Sequence, residues 1–245
     1  MKRARPDFPF YNGWPAPVAG RGWLAIIVSL VIAFALLVLM PWRAFPLNLV
    51  LALQFVLLPL IVLRGVVGPA WTALFRRVGF MHVALMALFA VITLVGSAVV
   101  GIALKQFFTL APNPVVNEIG NMSPQQLVLT LLPTVPQLIG EELIALLPFL
   151  AVLWVCVTRL RLSRRAGVLI ALVVSSLIFG AAHLPTYDWN WAQALIGIGS
   201  ARILLTLAYI ATRNLWVSAG AHILNDWAGF FFAFLVGHVP MGGGD

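Results

Sequence analysis

Apolar positions along this chain fall into runs of bilayer-crossing length, roughly 20 residues each, divided by short stretches rich in Arg, Pro and Gly. The pattern predicts spanning helices at 23–41, 45–63, 78–104, 136–158, 166–184, 191–212 and 215–238, an all-α polytopic transmembrane helix bundle of about seven spans. Three segments fall outside it. Residues 64–77, RGVVGPAWTALFRR, mix basic and bulky apolar side chains and suit an interfacial helix. Residues 105–125 read as a polar loop containing Pro112, Pro114, Asn117 and Asn121. The apolar stretch 126–135, broken by Pro133 and Pro136, reads either as a re-entrant segment or as an extension of the next helix.

Composition agrees with a membrane solvent: of 245 residues 62% are apolar and 9% charged, against about 25% charged in a soluble domain. A net charge of +8 would suggest a nucleic-acid partner in a soluble protein. Beside apolar spans, basic residues instead set orientation, so the expected partners are membrane lipids and no nucleic acid. With the N-terminus inside, Lys2, Arg3, Arg5, Arg21, Arg64, Arg76, Arg77, Arg159, Arg161, Arg164, Arg165 and Arg213 are cytoplasmic, against Arg43 and Lys105 outside: 12 against 2, with Arg202 left inside a span. The tail MGGGD then lies outside. The single Cys156 sits within an apolar helix and is read as core packing; one cysteine excludes an intrachain disulfide framework. Residues 1–22 form a basic, Pro/Gly-rich N-terminal tail. The apolar run from Trp23 to Met40 is too long for a signal-peptide core and lacks a small-residue cleavage site after it, so the tail is expected to be retained. No internal repeat is visible.

Of seven acidic residues, Asp7, Glu118, Asp188 and Asp245 belong to tails or loops, whereas Glu141, Glu142 and Asp226 lie inside spans. There an ionisable group costs a few kcal/mol and normally faces the bundle interior with a partner. In GEELIALLPFL, adjacent Glu141 and Glu142 point about 100° apart on a helix, so only one aims squarely at any one centre; a buried polar pair holding helices together is the bland alternative. In FGAAHLP, Phe179 and His183 share a face, Pro185 ends the helix near His183, and Gly180, Ala181 and Ala182 admit another backbone. In HILND, His222 and Asp226 share a face, so the carboxylate is expected to fix the imidazole tautomer, while Asn225 points elsewhere. Each histidine, taken singly, is equally a packing residue.

Together the three motifs resemble the CAAX protease and bacteriocin-processing (CPBP, or Abi) family of intramembrane glutamic proteases, which includes the CAAX prenyl protease type 2 enzymes. Its signature is Glu-Glu-x-x-x-Arg, then Phe-x-x-x-His, then His-x-x-x-Asn or Asp on successive helices. Glu141 with Glu142, Phe179 with His183, and His222 with Asp226 match in that order. The resemblance covers about 115–238, implying a protease-like core there and accessory helices over 23–104 within a single membrane domain. It implies an endopeptidase of a bacterial inner membrane, acting without a cofactor on a membrane-associated or lipid-anchored peptide or protein. Glu141, helped by His183, would activate water; His222 and Asp226 would stabilise the oxyanion; Glu142 would support the site. Two positions depart from the pattern. Leu146 stands where the family often has Arg, and Arg202 is expected to compensate from another helix; Asp226 stands where Asn is common.

A geometric difficulty accompanies this reading. Glu141 lies 18 residues from Arg159 and His183 lies 18 from Arg165, about 27 Å along their helices, whereas His222 is nine residues from Arg213. Convergence therefore requires tilted, recessed or broken helices. The competing readings are a metal-dependent membrane protease using zinc, a proton-coupled transporter using the same groups as relays, and a silent scaffold.

Overall fold

The computed structural model describes residues 7–238, and every regular element among them is helical. Lys2, Arg3, Arg5 and the segment 239–245, including Asp245, lie outside the described residues. The helices are α1 (Gly20–Leu39), α2 (Leu47–Val67), α3 (Phe80–Lys105), a short α4 (Pro114–Ile119), α5 (Pro124–Trp154), α6 (Arg164–Ala182), α7 (Gly199–Thr212) and α8 (Leu215–Gly237). π-helical turns continue α5 over Val155–Arg159 and lead into α7 over Ala192–Ile198. Seven of these runs are long and apolar enough to cross a membrane, one for each expected span. The chain is an integral membrane protein.

Of the two readings of residues 126–135, the structure bears out the extension of the next helix and not the re-entrant segment, because α5 runs unbroken from Pro124 through Pro133, Pro136 and Pro148. Its start is specified locally. The Ser123 hydroxyl accepts from the Gln126 amide, the Gln126 side chain accepts from the Ser123 amide, and Pro124 occupies the first turn, where its missing N–H costs nothing. Internal prolines each delete one ladder bond, a loss that neighbouring helices and side chains absorb within a bundle. Residues 64–77 do not form one separate helix. α2 extends to Val67 and passes at Gly68, whose φ of 58° suits glycine, into a 3₁₀ turn over Gly68–Leu74. The polar loop 105–125 holds α4, capped by Asn113, whose side chain accepts from the Val115 and Val116 amides.

α5 is the axis of the bundle, packed by α2, α6 and α8. Its Leu143, Leu146, Leu147, Phe149, Leu150 and Leu153 are fully buried, and Cys156 packs in the core as expected. α3 packs on α7 and α8, and α1 on α2. Leu24 and Val31 of α1, and Val91, Val95 and Val99 of α3, are exposed, the arrangement of a protein whose surroundings are hydrocarbon.

The N-terminal segment packs between α5 and the turn that joins α7 to α8. The Arg213 guanidinium lies 5.4 Å above the Phe8 ring, which in turn packs edge-on against Phe149 at 5.5 Å and stacks on Tyr209 at 6.0 Å. Phe8 thus links Arg213 to Phe149, which lies ten residues before Arg159 on α5. Glu141 is eight residues from Phe149 and His222 nine from Arg213, about 12 and 14 Å along their helices. The space beneath the turn is filled by the N-terminal segment, whose Phe8, Phe10, Tyr11 and Val18 are buried. Asp7 anchors this segment to Arg164 through a two-pronged ion pair and accepts from the Tyr11 hydroxyl at 2.7 Å.

Candidate functional site

α5, α6, α7 and α8 bring their polar side chains to one centre. Glu142 faces α7 and α8. Its two oxygens receive Arg202 Nη1 at 2.6 Å and Nη2 at 3.1 Å, with both side chains fully buried. Arg202 Nε also donates to Thr206 Oγ1 at 3.2 Å, and the guanidinium lies 5.1 Å from the centroid of the Phe179 ring. The cation that Leu146 does not supply therefore arrives from α7, while Leu146 packs into the apolar core.

Glu141 faces α6 and α8. Its Oε2 lies 4.0 Å from His183 Nε2 and 3.9 Å from His222 Nε2, and its Oε1 accepts from Gln137 Nε2 at 3.1 Å. The two adjacent carboxylates, splayed by helical geometry, embrace His222 from both sides: Nδ1 lies 3.0 Å from Glu142 Oε1, and Nε2 faces Glu141. His183 is held by its own helix. Its Nδ1 lies 2.8 Å from the Phe179 carbonyl oxygen, which can only accept, so Nδ1 carries the proton and Nε2 is left toward Glu141. Phe179 wedges between the imidazoles, with ring centroids 4.6 Å from His183 and 6.3 Å from His222.

Exposure divides the cluster in two. Glu142 and Arg202 are sealed, whereas Glu141, His183 and Asp226 keep 13%, 24% and 27% of their side-chain surface accessible. The first pair can only hold the helices; the second set can meet a small molecule or a peptide.

HILND behaves differently from its sequence reading. Asp226 Oδ1 is 3.8 Å from His222 Nε2, too far for a hydrogen bond, so Glu142 and not Asp226 orients the imidazole. Asn225 does not point elsewhere: its Nδ2 donates to Asp226 Oδ1 at 2.8 Å. Two turns of α5 before Glu141, Thr134 Oγ1 accepts from Trp227 Nε1 at 2.9 Å and fixes α8 against α5. The small residues before His183 act as expected, since a Cβ on Gly180 would come within 2.5 Å of the Ala194 carbonyl oxygen.

Gln137 is the site partner that sequence reading passed over. The available signal was a polar side chain one helical turn before Glu141 within an apolar span. Tyr187, buried just beyond the end of α6, accepts from Asn113 Nδ2 at 3.3 Å and links the loop before α4 to the turn after His183. Burial raises the pKa of its hydroxyl, the hydrogen bond from Asn113 lowers it in part, and the negative charges of Asp226 and Glu141 add to the rise. Among the described residues, no three His, Cys, Asp or Glu side chains are grouped closely enough to hold a metal ion.

No curated protein and no solved structure matches the chain. A family model does: residues 123–228 match the type II CAAX prenyl endopeptidase Rce1-like family. That segment runs from the cap of α5 to the turn after Asp226 and contains all three motifs in order. Over that segment, within a chain that has seven helices able to span a membrane, the protein is similar to the CAAX protease family of membrane endopeptidases.

Proposed function

We propose that the chain hydrolyses a peptide bond of a membrane-associated or lipid-anchored peptide or protein with a water activated by Glu141. The observation that carries this is the approach of one Glu141 oxygen to two imidazole nitrogens, at 4.0 and 3.9 Å. Such separations suit a water that donates to the carboxylate while it contacts an imidazole. In this reading Glu141 takes a proton as the water oxygen bonds to the scissile carbonyl carbon. His222 Nε2 donates to the resulting oxyanion, where a fixed donor in a dry site acts strongly, and Asp226 contributes either as a protonated carboxyl that donates or by supporting His222 as an imidazolium. Return of the proton from Glu141 to the departing nitrogen breaks the C–N bond and leaves a carboxylic acid and an amine, which become carboxylate and ammonium by proton exchange. His183 holds the water in line, and Glu142, committed to Arg202 and His222, keeps the frame.

The site residues and the glutamate mechanism are tested together by comparing purified wild type with Glu141→Ala. The probe is a fluorescence-quenched library of membrane peptides, farnesylated CAAX peptides among them, in detergent and in liposomes. Cleavage by wild type and none by the variant supports the reading. No cleavage by wild type, or equal cleavage by both, overturns it. Activity lost on chelation and restored by zinc would favour the metal-dependent alternative. Proton-dependent flux that persists when hydrolysis is blocked would favour the transporter. The proposed orientation, with the N-terminus in the cytoplasm of a bacterial inner membrane, is tested by cysteine labelling at Arg43 and Arg161 positions from either side.

A further inference from the structure

Gln137 and Glu141 are four residues apart on one face of α5, and the Gln137 amide nitrogen lies 3.1 Å from Glu141 Oε1. An ionised carboxylate only accepts hydrogen bonds, so the amide must present its NH₂. A carboxylate at the end of three rotatable bonds can offer either oxygen, in many orientations. Binding of Oε1 by Gln137 removes that freedom and leaves Oε2 as the oxygen between His183 Nε2 and His222 Nε2. Among the described residues no other side chain hydrogen-bonds a Glu141 oxygen: Glu142 is taken up by Arg202 and His222, and each imidazole makes its closest approach to Oε2, at 4.0 and 3.9 Å. Gln137 itself is only half-buried and is not part of the apolar packing of α5.

We infer that Gln137 is a positioning residue for the proteolytic reaction: it clamps one oxygen of Glu141 so that the other is presented to water between the two histidines. This rests on the glutamate reading above. It requires a hydrogen-bond donor at position 137, not merely a side chain of that shape, and shape and donor can be separated.

The test uses the full chain and the same peptide library. Gln137→Met keeps the length of the side chain and removes the donor; kcat is expected to fall about 10- to 100-fold, the range for loss of an orienting partner, with KM within about twofold and an unchanged melting temperature. Gln137→Glu supplies a donor only when the introduced carboxyl is protonated, so its activity relative to wild type is expected to rise as the pH is lowered from 8 to 5.5. Gln137→Met with wild-type kcat, a loss confined to KM or to melting temperature, or a Gln137→Glu ratio that is flat with pH would each overturn the inference. Glu141→Ala run alongside separates the two levels. An inactive Glu141→Ala beside a fully active Gln137→Met removes only the role of Gln137, whereas an active Glu141→Ala removes the glutamate reading and this inference with it.

Discussion

Arg202 on α7 grips both oxygens of Glu142 on α5 across 60 positions of sequence, with neither side chain exposed. Removing one partner strands the other charge in a dry interior, so Arg202→Leu or Glu142→Gln is expected to destabilise the fold by about 3–5 kcal/mol. The double exchange Glu142→Arg with Arg202→Glu is expected to recover much of that stability but not activity, because His222 loses the acceptor for its Nδ1. Thermal unfolding of the two single variants and the exchange in detergent checks this; an exchange no more stable than its parents would count against the pairing.

Asp226 contacts the site at 3.8 Å from His222 Nε2 and accepts from Asn225, while Glu142 fixes the ring. Asp226→Asn preserves shape without disturbing the tautomer, so it is expected to lose less than the ~100-fold that follows removal of an acid–base group. Asp226→Leu, which lacks any polar atom to meet the oxyanion, is expected to lose more. Steady-state kcat of the two variants on one cleaved peptide decides it, and equal losses would mean that the charge of Asp226 is what the site needs.

Gly140 precedes the paired carboxylates and faces Phe55 of α2, where an added Cβ would overlap the ring. Phe55 is fully buried and packs against Phe34, so it has little room to yield. Gly140→Ala is expected to cost about 1–3 kcal/mol by overpacking and to depress kcat by tilting Glu141. Phe55→Leu in the same chain should relieve both effects, measured as melting temperature and turnover.

Asp7 ties the N-terminal segment to α6. Burial raises its pKa, but hydrogen bonds from Arg164, Tyr11 and the Phe8 amide outweigh this and hold it below the ordinary carboxylate value. A depressed folded-state pKa adds stability that is complete above the unfolded value, near pH 4, and is lost as pH falls through the folded value. The stability difference between wild type and Asp7→Asn is therefore expected to be constant from about pH 5 to 7 and to shrink below about pH 4. Melting temperatures across that range test it, and a gap that widens on acidification would contradict it.

The architecture was largely legible in the sequence because hydrocarbon imposes one requirement, about 20 apolar residues per crossing, and each of the seven runs meets it on its own. The candidate residues were legible for a related reason: Glu141, Glu142, His183, His222 and Asp226 are costly in an apolar helix and stand out against it. What lay beyond the sequence was relational. The continuity of α5 through Pro133 and Pro136 depends on neighbouring helices that tolerate the missing bonds. The packing of the α7–α8 turn depends on Phe8 and Arg213, which meet from distant parts of the chain. The orientation of His222 by Glu142, 80 positions away, rather than by Asp226 one turn along the same helix, depends on how α5 and α8 are rotated about their axes. Sequence spacing specifies which side chains share a helix face; only the packed bundle specifies which faces meet, because interhelical rotation and depth follow from side chains distant in the chain filling a common volume.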